Sequence, residues 1–361
     1  MAAGDFTASQ LGLINLKAEQ MWTDSQYAAS LKPEAEAARA VLERQTVQFK
    51  EFYDWEEKRR KVKVTWIDAC EMTAQDCVET CDPSYPELGT KSKSYEPNLC
   101  KSAGFSIDAL KTKTDSYDFQ EQIARGLAAA VKSLDEWWAK QVLVKIKTFA
   151  GVNVAPQPFI YDNVAKTTKF TDLDPVSQYN GNLKLLANFL QQSKLNRIAS
   201  PYIIDNGTFF VDMLNAAFDS GNSEGKGYAA RLNVFKDMLY DDQFNFAAAG
   251  LTDSLFMIGS GAVAFQTVND NPSTQTVIGG NVQDTLYRIK SNLLPGVEYD
   301  VLYKIKCVVT GNAKRYIHMW ELKTKGLVEL NPEGCPVTAN VGGSPTIVTP
   351  TGVLSYTRVA S

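Results

Sequence analysis

The sequence predicts an α+β fold of two or three domains, with one long helix standing between separate blocks of strand. Three observations predict it. Tyr117–Ala150 places Phe119, Ile123, Leu127, Ala130, Val131, Leu134, Trp137, Trp138, Val142, Ile146 and Phe149 at steps of three and four, the signature of an amphipathic helix. Lys61–Ile67 (KVKVTWI) and Gly104–Leu110 (GFSIDAL) alternate apolar and polar residues, as half-buried strands do. From Tyr287 onward the pattern is β: EYDVLYKIKCVVTG and NAKRYIHMWELKTKGLVEL meet at Thr310, Gly311 and Asn312 as a long hairpin. A chain of 361 residues fits two or three domains.

Taken in order, residues 1–60 carry little core of their own. Leu11, Leu13, Ile14 and Leu16 form a short apolar patch, Pro33 opens a helix through EAEAARAVLERQ, and the charged EFYDWEEKRR follows, so the segment reads as an arm. The strands at 61–67 and 104–110 bracket a polar stretch punctuated by Pro83, Pro86, Gly89 and Pro97. They are expected to form one projecting hairpin with a long loop, and loops of that length are usually functional or disordered. The long helix has Asp115 or Ser116 for its N-cap, acidic Asp118 and Glu121 in the first turn, and Lys140, Lys145 and Lys147 toward its end. Gly151 can close it. Unbroken, it would be about 50 Å long. Leu134 falls on its apolar face and Asp135 on the other, so Leu134→Asp is expected to unfold the subunit and Asp135→Ala to be mild.

Residues 152–182 are loop-rich, Asn182–Leu195 and Gly207–Phe218 read as helices, and PYIID (201–205) as a strand. SGNSEGKGY (220–228) reads as a loop. Leu232–Tyr240 and LFMIGSGAVAFQTV (255–268) read as strands, the second broken at Gly-Ser-Gly. The tail, CPVTANVGGSPTIVTPTGVLSYTRVAS, reads as an extended arm or short edge strands.

Composition narrows the function classes. Apolar content of 44% and charged content of 22% belong to a foldable chain, and a net charge of −4 without a basic block argues against specific nucleic-acid binding. No run reaches the roughly 18 apolar residues of a membrane span, and MAAGDFTASQLGLINLK does not read as a signal peptide. A cytosol-like compartment is expected, which favours free thiols for Cys70, Cys77, Cys81, Cys100, Cys307 and Cys335. A particle later met by an oxidising medium could form disulfides. No CxxC pair or neighbouring histidine suggests zinc.

Catalytic patterns are missing from the sequence. His318, the one histidine, shares a strand face with Tyr316 and Trp320 and reads as a half-buried structural residue. GNSEGKG at Gly221–Gly227 has three residues between its first glycines where a phosphate loop needs four, and lacks the Ser or Thr that would hold magnesium. The pairs Asp172/Asp174 and Asp241/Asp242 match no calcium loop. Trp137–Trp138 on an amphipathic helix reads as packing. No enzyme activity, cofactor or metal is expected.

The segment order, with PELGTKSKSYEPN and GFSID in the loop, ARGLAAAVKSLDEWW in the helix, PYIIDNGTFF, SLFMIGSGAVAF and PGVEYDVLYKI after it, resembles the tailed-bacteriophage major capsid proteins of the Hong Kong 97-type fold. The resemblance covers roughly residues 30–330. It implies an N-terminal arm at 1–60, an E-loop at 61–110 and the spine helix of a peripheral domain at 111–151. An apical domain at 152–285, peripheral return strands at 286–334 and a C-terminal arm at 335–361 would follow. It further implies a virion protein, assembled in the host cytoplasm, that self-assembles as hexamers and pentamers into an icosahedral head around non-specifically held double-stranded DNA. Scaffolding, portal and decoration proteins are the further partners; no membrane is involved.

The E-loop would meet a neighbouring subunit through Tyr85, Lys91, Lys93, Tyr95, Leu99 and Lys101, while Phe119, Ile123, Leu127, Leu134 and Trp138 would form the spine-helix core. Two features depart from the family pattern: there is no long charged N-terminal scaffolding segment, and the Val/Thr/Gly tail is extra. An encapsulin-like bacterial shell or a non-enzymatic β-rich surface binding module are the alternatives.

Overall fold

The computed structural model describes residues 8–23, 35–68, 70, 88–108, 118–151, 160–162, 167–171, 193–194, 196, 198, 200–205, 238–240, 254–270, 275–277, 284–291, 293–310, 313–341 and 344–359. In chain order these form α1 (Ala8–Thr23), α2 (Glu36–Arg44), β1 (Lys50–Asp54), β2 (Arg59–Asp68), β3 (Gly89–Tyr95), β4 (Leu99–Asp108) and α3 (Phe119–Phe149). There follow β5 (Ile160–Asp162), β6 (Thr167–Thr171), β7 (Tyr202–Asp205), β8 (Met238–Tyr240), β9 (Ser254–Ile258), β10 (Val263–Thr267), β11 (Gln275–Val277) and β12 (Asp284–Lys290). Last come β13 (Glu298–Thr310), β14 (Ala313–Leu330), β15 (Val337–Val341), β16 (Ser344–Val348) and β17 (Val353–Val359). The fold is mixed helix and strand. It divides into two compact units, each assembled from three stretches of chain: Met1–Glu43, Pro97–Leu143 and Phe265–Leu327 in the first, Arg44–Glu96, Val144–Ala264 and Val328–Ser361 in the second.

The first unit is a helix laid on a sheet. The expected hairpin forms: β13 pairs antiparallel with β14 from Asp300↔Lys323 to Thr310↔Ala313. The other edge of β14 takes β4, from Ile317↔Asp108 to Gly326↔Leu99, and β12 and β11 continue the sheet beyond β13. One face of this sheet carries an aromatic ladder. Phe105 stacks on Trp320 at 5.1 Å between centroids, Tyr303 on Trp320 at 4.9 Å, and Phe119 meets His318 edge-on at 5.1 Å. Helix α3 covers that face: the Trp138 indole Nε1 donates to Thr324 Oγ1 at 2.9 Å, and its ring meets Phe265 at 4.6 Å. Close approach is possible because Gly126 has no side chain. A Cβ there would lie 2.5 Å from the Phe105 ring, and that fit outweighs the roughly 1 kcal/mol by which glycine weakens a helix.

Helix α3 starts one residue after Asp118, whose carbonyl accepts from Gln122 N at 3.1 Å. The expected caps Asp115 and Ser116 lie outside the described residues. Its 31 residues give about 46 Å at 1.5 Å per residue. Ile123, Leu127, Leu134 and Trp138 are fully buried and Phe119 partly so. The buried stripe is wider than one sheet face needs, because α1 also lies on the helix. Asn15 and Ala18 of α1, Leu127, Ala128 and Val131 of α3, and Ile289 of β12 line one small common gap. Ile14, Ala18 and Met21 form the buried face of α1, and Ala37, Ala38, Ala40, Val41 and Leu42 that of α2. The stretch expected to have little core of its own thus contributes buried residues from α1 and α2.

The second unit holds a six-stranded mixed sheet in the order β5-β6-β17-β9-β7-β8. Here the tail departs from expectation. β17 is an inner strand, parallel to β6 and antiparallel to β9, with Val353, Leu354, Ser355 and Tyr356 buried. Val-Leu-Ser-Tyr can serve as an inner strand because both its faces find partners. The break at Gly-Ser-Gly is present: Gly261 adopts φ +80°, and a side chain at that position would collide with Thr46.

A second departure concerns the segment before α3. The two strands expected to bracket one hairpin lie in different sheets. β2 pairs with β1 and β3 in a three-stranded antiparallel sheet of the second unit, whereas β4 belongs to the sheet of the first. Strand β3, GTKSKSY, has no apolar alternation because six of its seven residues are exposed, so nothing in its composition marks it as a strand. The segments expected at 152–159, 172–192, 206–237 and 241–253 lie outside the described residues, with Cys77, Cys81 and the Gly221–Gly227 loop.

Candidate assembly surface

Among the described residues, the three-stranded sheet β1-β2-β3 is largely exposed. Its register puts Glu51, Val62 and Tyr95 side by side on one face, followed by Val64 with Lys93 and Trp66 with Lys91. The other face presents Lys50, Lys63 and Ser94, then Thr65 with Ser92 and Ile67 with Thr90. Val62, Val64 and Tyr95 are buried, and they fix the middle of the sheet to its unit; Tyr95 meets Phe49 edge-on at 6.3 Å. Lys50 directly opposite Lys63, both exposed, is a like-charge pair that weakens the isolated sheet.

Beyond the buried middle, β1 and β2 run on as a hairpin whose tip is held by charge. Asp54 Oδ1 accepts from the backbone N–H of Glu56 at 3.0 Å and of Glu57 at 3.3 Å, forming the turn. Lys61 Nζ lies 2.8 Å from Asp54 and 2.7 Å from Glu57, and Arg59 bridges Glu57 and Glu96. The bond from Lys61 first, then the Glu57 N–H, holds the Asp54 carboxyl below the usual carboxylate range, and Asp54 in turn raises Lys61. On this frame stands Trp55, 82% exposed, with Tyr53 edge-on at 4.8 Å. An aromatic pair held rigid in water is the composition of an interface hot spot.

The contact residues expected from sequence are distributed unevenly. Lys91 and Lys93 are exposed on β3; Lys91 pairs with Asp68 of its own chain, which lowers that carboxyl, and Lys93 lies 4.8 Å over the Tyr95 ring. Tyr95, offered as surface for a neighbour, is instead only 8% exposed, because an inward position on β3 packs it against Phe49. Leu99 and Lys101 sit on β4 against Gly326 and Thr324, and Tyr85 lies outside the described residues.

Three features escaped the sequence reading. Trp55 sat in a charged run read as arm. Cys70 and Cys335 form a disulfide across 265 residues of sequence, which no local spacing signals. Asp135 is fully buried, not on a solvent face. Its Oδ1 accepts from the hydroxyls of Ser291, at 2.7 Å, and Tyr299, while Oδ2 has no hydrogen-bond partner. Burial pushes its carboxyl up to about 7, against the two hydroxyl bonds. The signal was available: Asp135 stands one turn after Val131 and one turn before Trp138 and Ala139, inside the apolar stripe.

His318 is buried, with Nδ1 2.7 Å from the Tyr303 hydroxyl and rings on both sides; the half-burial expected of it is exceeded. Among the described residues no cluster of three His, Cys, Asp or Glu side chains could hold a metal, and no helix is long and apolar enough to cross a membrane.

No family model and no curated protein matches the chain. It is similar to solved phage structures. One, of Mycobacterium phage Che8, is 12% identical, covering 86% of this chain and 92% of that one, with a TM-score of 0.38. The capsid of cyanophage P-SCSP1u is 9% identical over 83% of this chain and 84% of its own, with a TM-score of 0.44. The mature capsid of bacteriophage PhiM1 is 9% identical over 86% and 88%, with a TM-score of 0.41. At such identities the function has to be argued from this chain's own architecture.

Proposed function

We propose that this chain is the major capsid protein of a tailed phage, with the Hong Kong 97-type fold, many copies closing into an icosahedral head around double-stranded DNA. The observation that carries the reading is the interleaving. An exposed three-stranded sheet and its loop precede a 31-residue helix. The sheet under that helix takes one strand, β4, from before it and the rest from beyond residue 262. A subunit that must touch several neighbours at once needs such extended elements tied back into a core. In this reading α3 is the spine helix of the peripheral domain, and β2, β3 and the stretch between them are the E-loop, with Lys91 and Lys93 turned to a neighbour. Residues 152–285 contribute the apical domain, apart from β10 and β11, which join the sheet under α3, and 286–334 the peripheral return strands. No turnover is expected of it, because its one histidine is committed to an aromatic stack. Assembly in the host cytoplasm, with scaffolding, portal and decoration proteins as partners, belongs to the same reading.

Expression of the chain, followed by size-exclusion chromatography and negative-stain microscopy, tests this directly. Closed shells, rings or capsomers are expected; a strict monomer at high concentration and near-physiological salt would overturn it. A sharper expectation concerns Trp55. Because its ring is almost wholly in water, Trp55→Ala should leave subunit stability within about 0.5 kcal/mol yet reduce shell yield severalfold. Unchanged assembly would remove the hairpin tip from the contact.

A further inference from the structure

Both cysteines of the Cys70–Cys335 disulfide are exposed, so the bond is open to exchange with thiols in the surrounding medium. Each is also held in place without it. The Cys70 N–H donates to Asp68 Oδ1 at 3.3 Å, and Asp68 is paired with Lys91 across β2 and β3. On the other side, Glu333 N donates to Asn331 Oδ1 at 2.9 Å, and Gly334 packs so closely on Thr349 and Pro350 that a Cβ would lie 3.2 Å from each. The Cα atoms are 5.3 Å apart, within the ordinary disulfide range. Cys335 lies two residues before β15, whose one strand partner among the described residues is β16, and Cys70 two residues past β2. A two-stranded sheet by itself is marginal in water.

We propose that Cys70 and Cys335 are an oxidation-operated clasp. Reduced, the two thiols stand side by side in a folded subunit; oxidised, they fasten the end of β2 to the root of the β15–β16 hairpin. The oxidant is a low-molecular-weight disulfide such as oxidised glutathione. One cysteine thiolate attacks it, releasing one small thiol and leaving a mixed disulfide. The second cysteine then displaces the other small thiol, so two protein thiols become one disulfide and one small disulfide becomes two thiols. Because the two positions are 265 residues apart, the bond cannot close before synthesis has passed Cys335. The other described cysteines are not competitors for each other. Cys100 is registered with Lys325 and Cys307 with Tyr316, nine positions apart along β14 and on its opposite edges, about 30 Å.

The chemistry needs only the chain; its consequence, a shell whose E-loop base becomes covalently braced after release into an oxidising medium, rests on the capsid reading. The test treats the purified full-length protein with oxidised glutathione or with dithiothreitol, then alkylates and maps its peptides. The expected result is one cross-linked pair, Cys70 with Cys335, and a melting temperature several degrees higher when oxidised. Far-UV circular dichroism should be the same in both states, and Cys335→Ser should abolish both the cross-link and the shift. Equal melting in both states, a cross-link to Cys77 or Cys81 instead, or loss of helical signal on reduction would each overturn the clasp. Particles absent under both conditions would overturn the capsid reading, while the peptide map still decides the clasp.

Discussion

Leu134→Asp is expected to yield no folded subunit. Leu134 is fully buried on the inner face of the long helix, and its replacement loses the apolar contacts of a core leucine, about 2–5 kcal/mol. It also drives a second carboxylate into a face where Asp135 already has an orphaned oxygen, and an unpaired buried charge costs several kcal/mol more. Total stability for a domain is about 5–15 kcal/mol, so the sum is enough to unfold it. Ser133→Asp, one residue away and exposed, is the control, with an effect within about 0.5 kcal/mol. Insoluble Leu134→Asp beside soluble, cooperatively melting Ser133→Asp is the expected outcome; equal melts would mean that the buried face is wrong. Asp135→Ala, which the sequence pattern offered as the mild partner, cannot serve, because it strips the buried Tyr299 hydroxyl and the half-buried Ser291 hydroxyl of their acceptor.

What was legible in the sequence follows from where apolar residues repeat. The long helix, the β13–β14 hairpin, PYIID and the Gly-Ser-Gly break all show a period or a turn residue that a single stretch of chain is enough to define. What was hidden depends on partners remote in sequence. β3 is a strand because β2 lends it a ladder, although Lys-Ser-Lys-Ser offers no face to bury. β17 is central because β6 and β9 close on it from either side. The alternation of KVKVTWI and GFSID is real, but it does not say which sheet each strand joins, and the nearest assumption, one hairpin, was not the solution adopted.

The candidate surface divides in the same way. Lys91 and Lys93 were readable as exposed charges, since a polar strand has little choice. Tyr95 was not separable from them by composition, because only its pairing opposite Val62 turns it inward. Trp55 was passed over because charged neighbours suggested a solvated arm. Those same charges, Asp54, Glu57, Arg59 and Lys61, are what fix the turn that holds the indole in water.

Asp135→Asn is expected to remove a pH dependence that the native chain carries. Desolvation raises the folded-state carboxyl to about 7 from an ordinary 3.8, so the native protein favours the protonated form more than the unfolded chain does. The sign follows: this group's contribution is fully present below the unfolded value near 4 and is lost as the pH rises through about 7. Between pH 5 and pH 9 the loss is roughly 3 kcal/mol, at 1.36 kcal/mol per pKa unit. Half-buried acids such as Asp54 and Asp68, whose carboxyls are held low by lysine, act in the opposite direction but are common to both proteins. An asparagine at 135 keeps an oxygen for the hydroxyls of Ser291 and Tyr299 and cannot ionise. Urea unfolding as a function of pH should therefore find the variant close to wild type only below about pH 4, with its advantage over wild type growing by roughly 3 kcal/mol between pH 5 and pH 9. Parallel pH profiles would show that Asp135 is charged throughout, and that water or another group reaches the oxygen left without a partner.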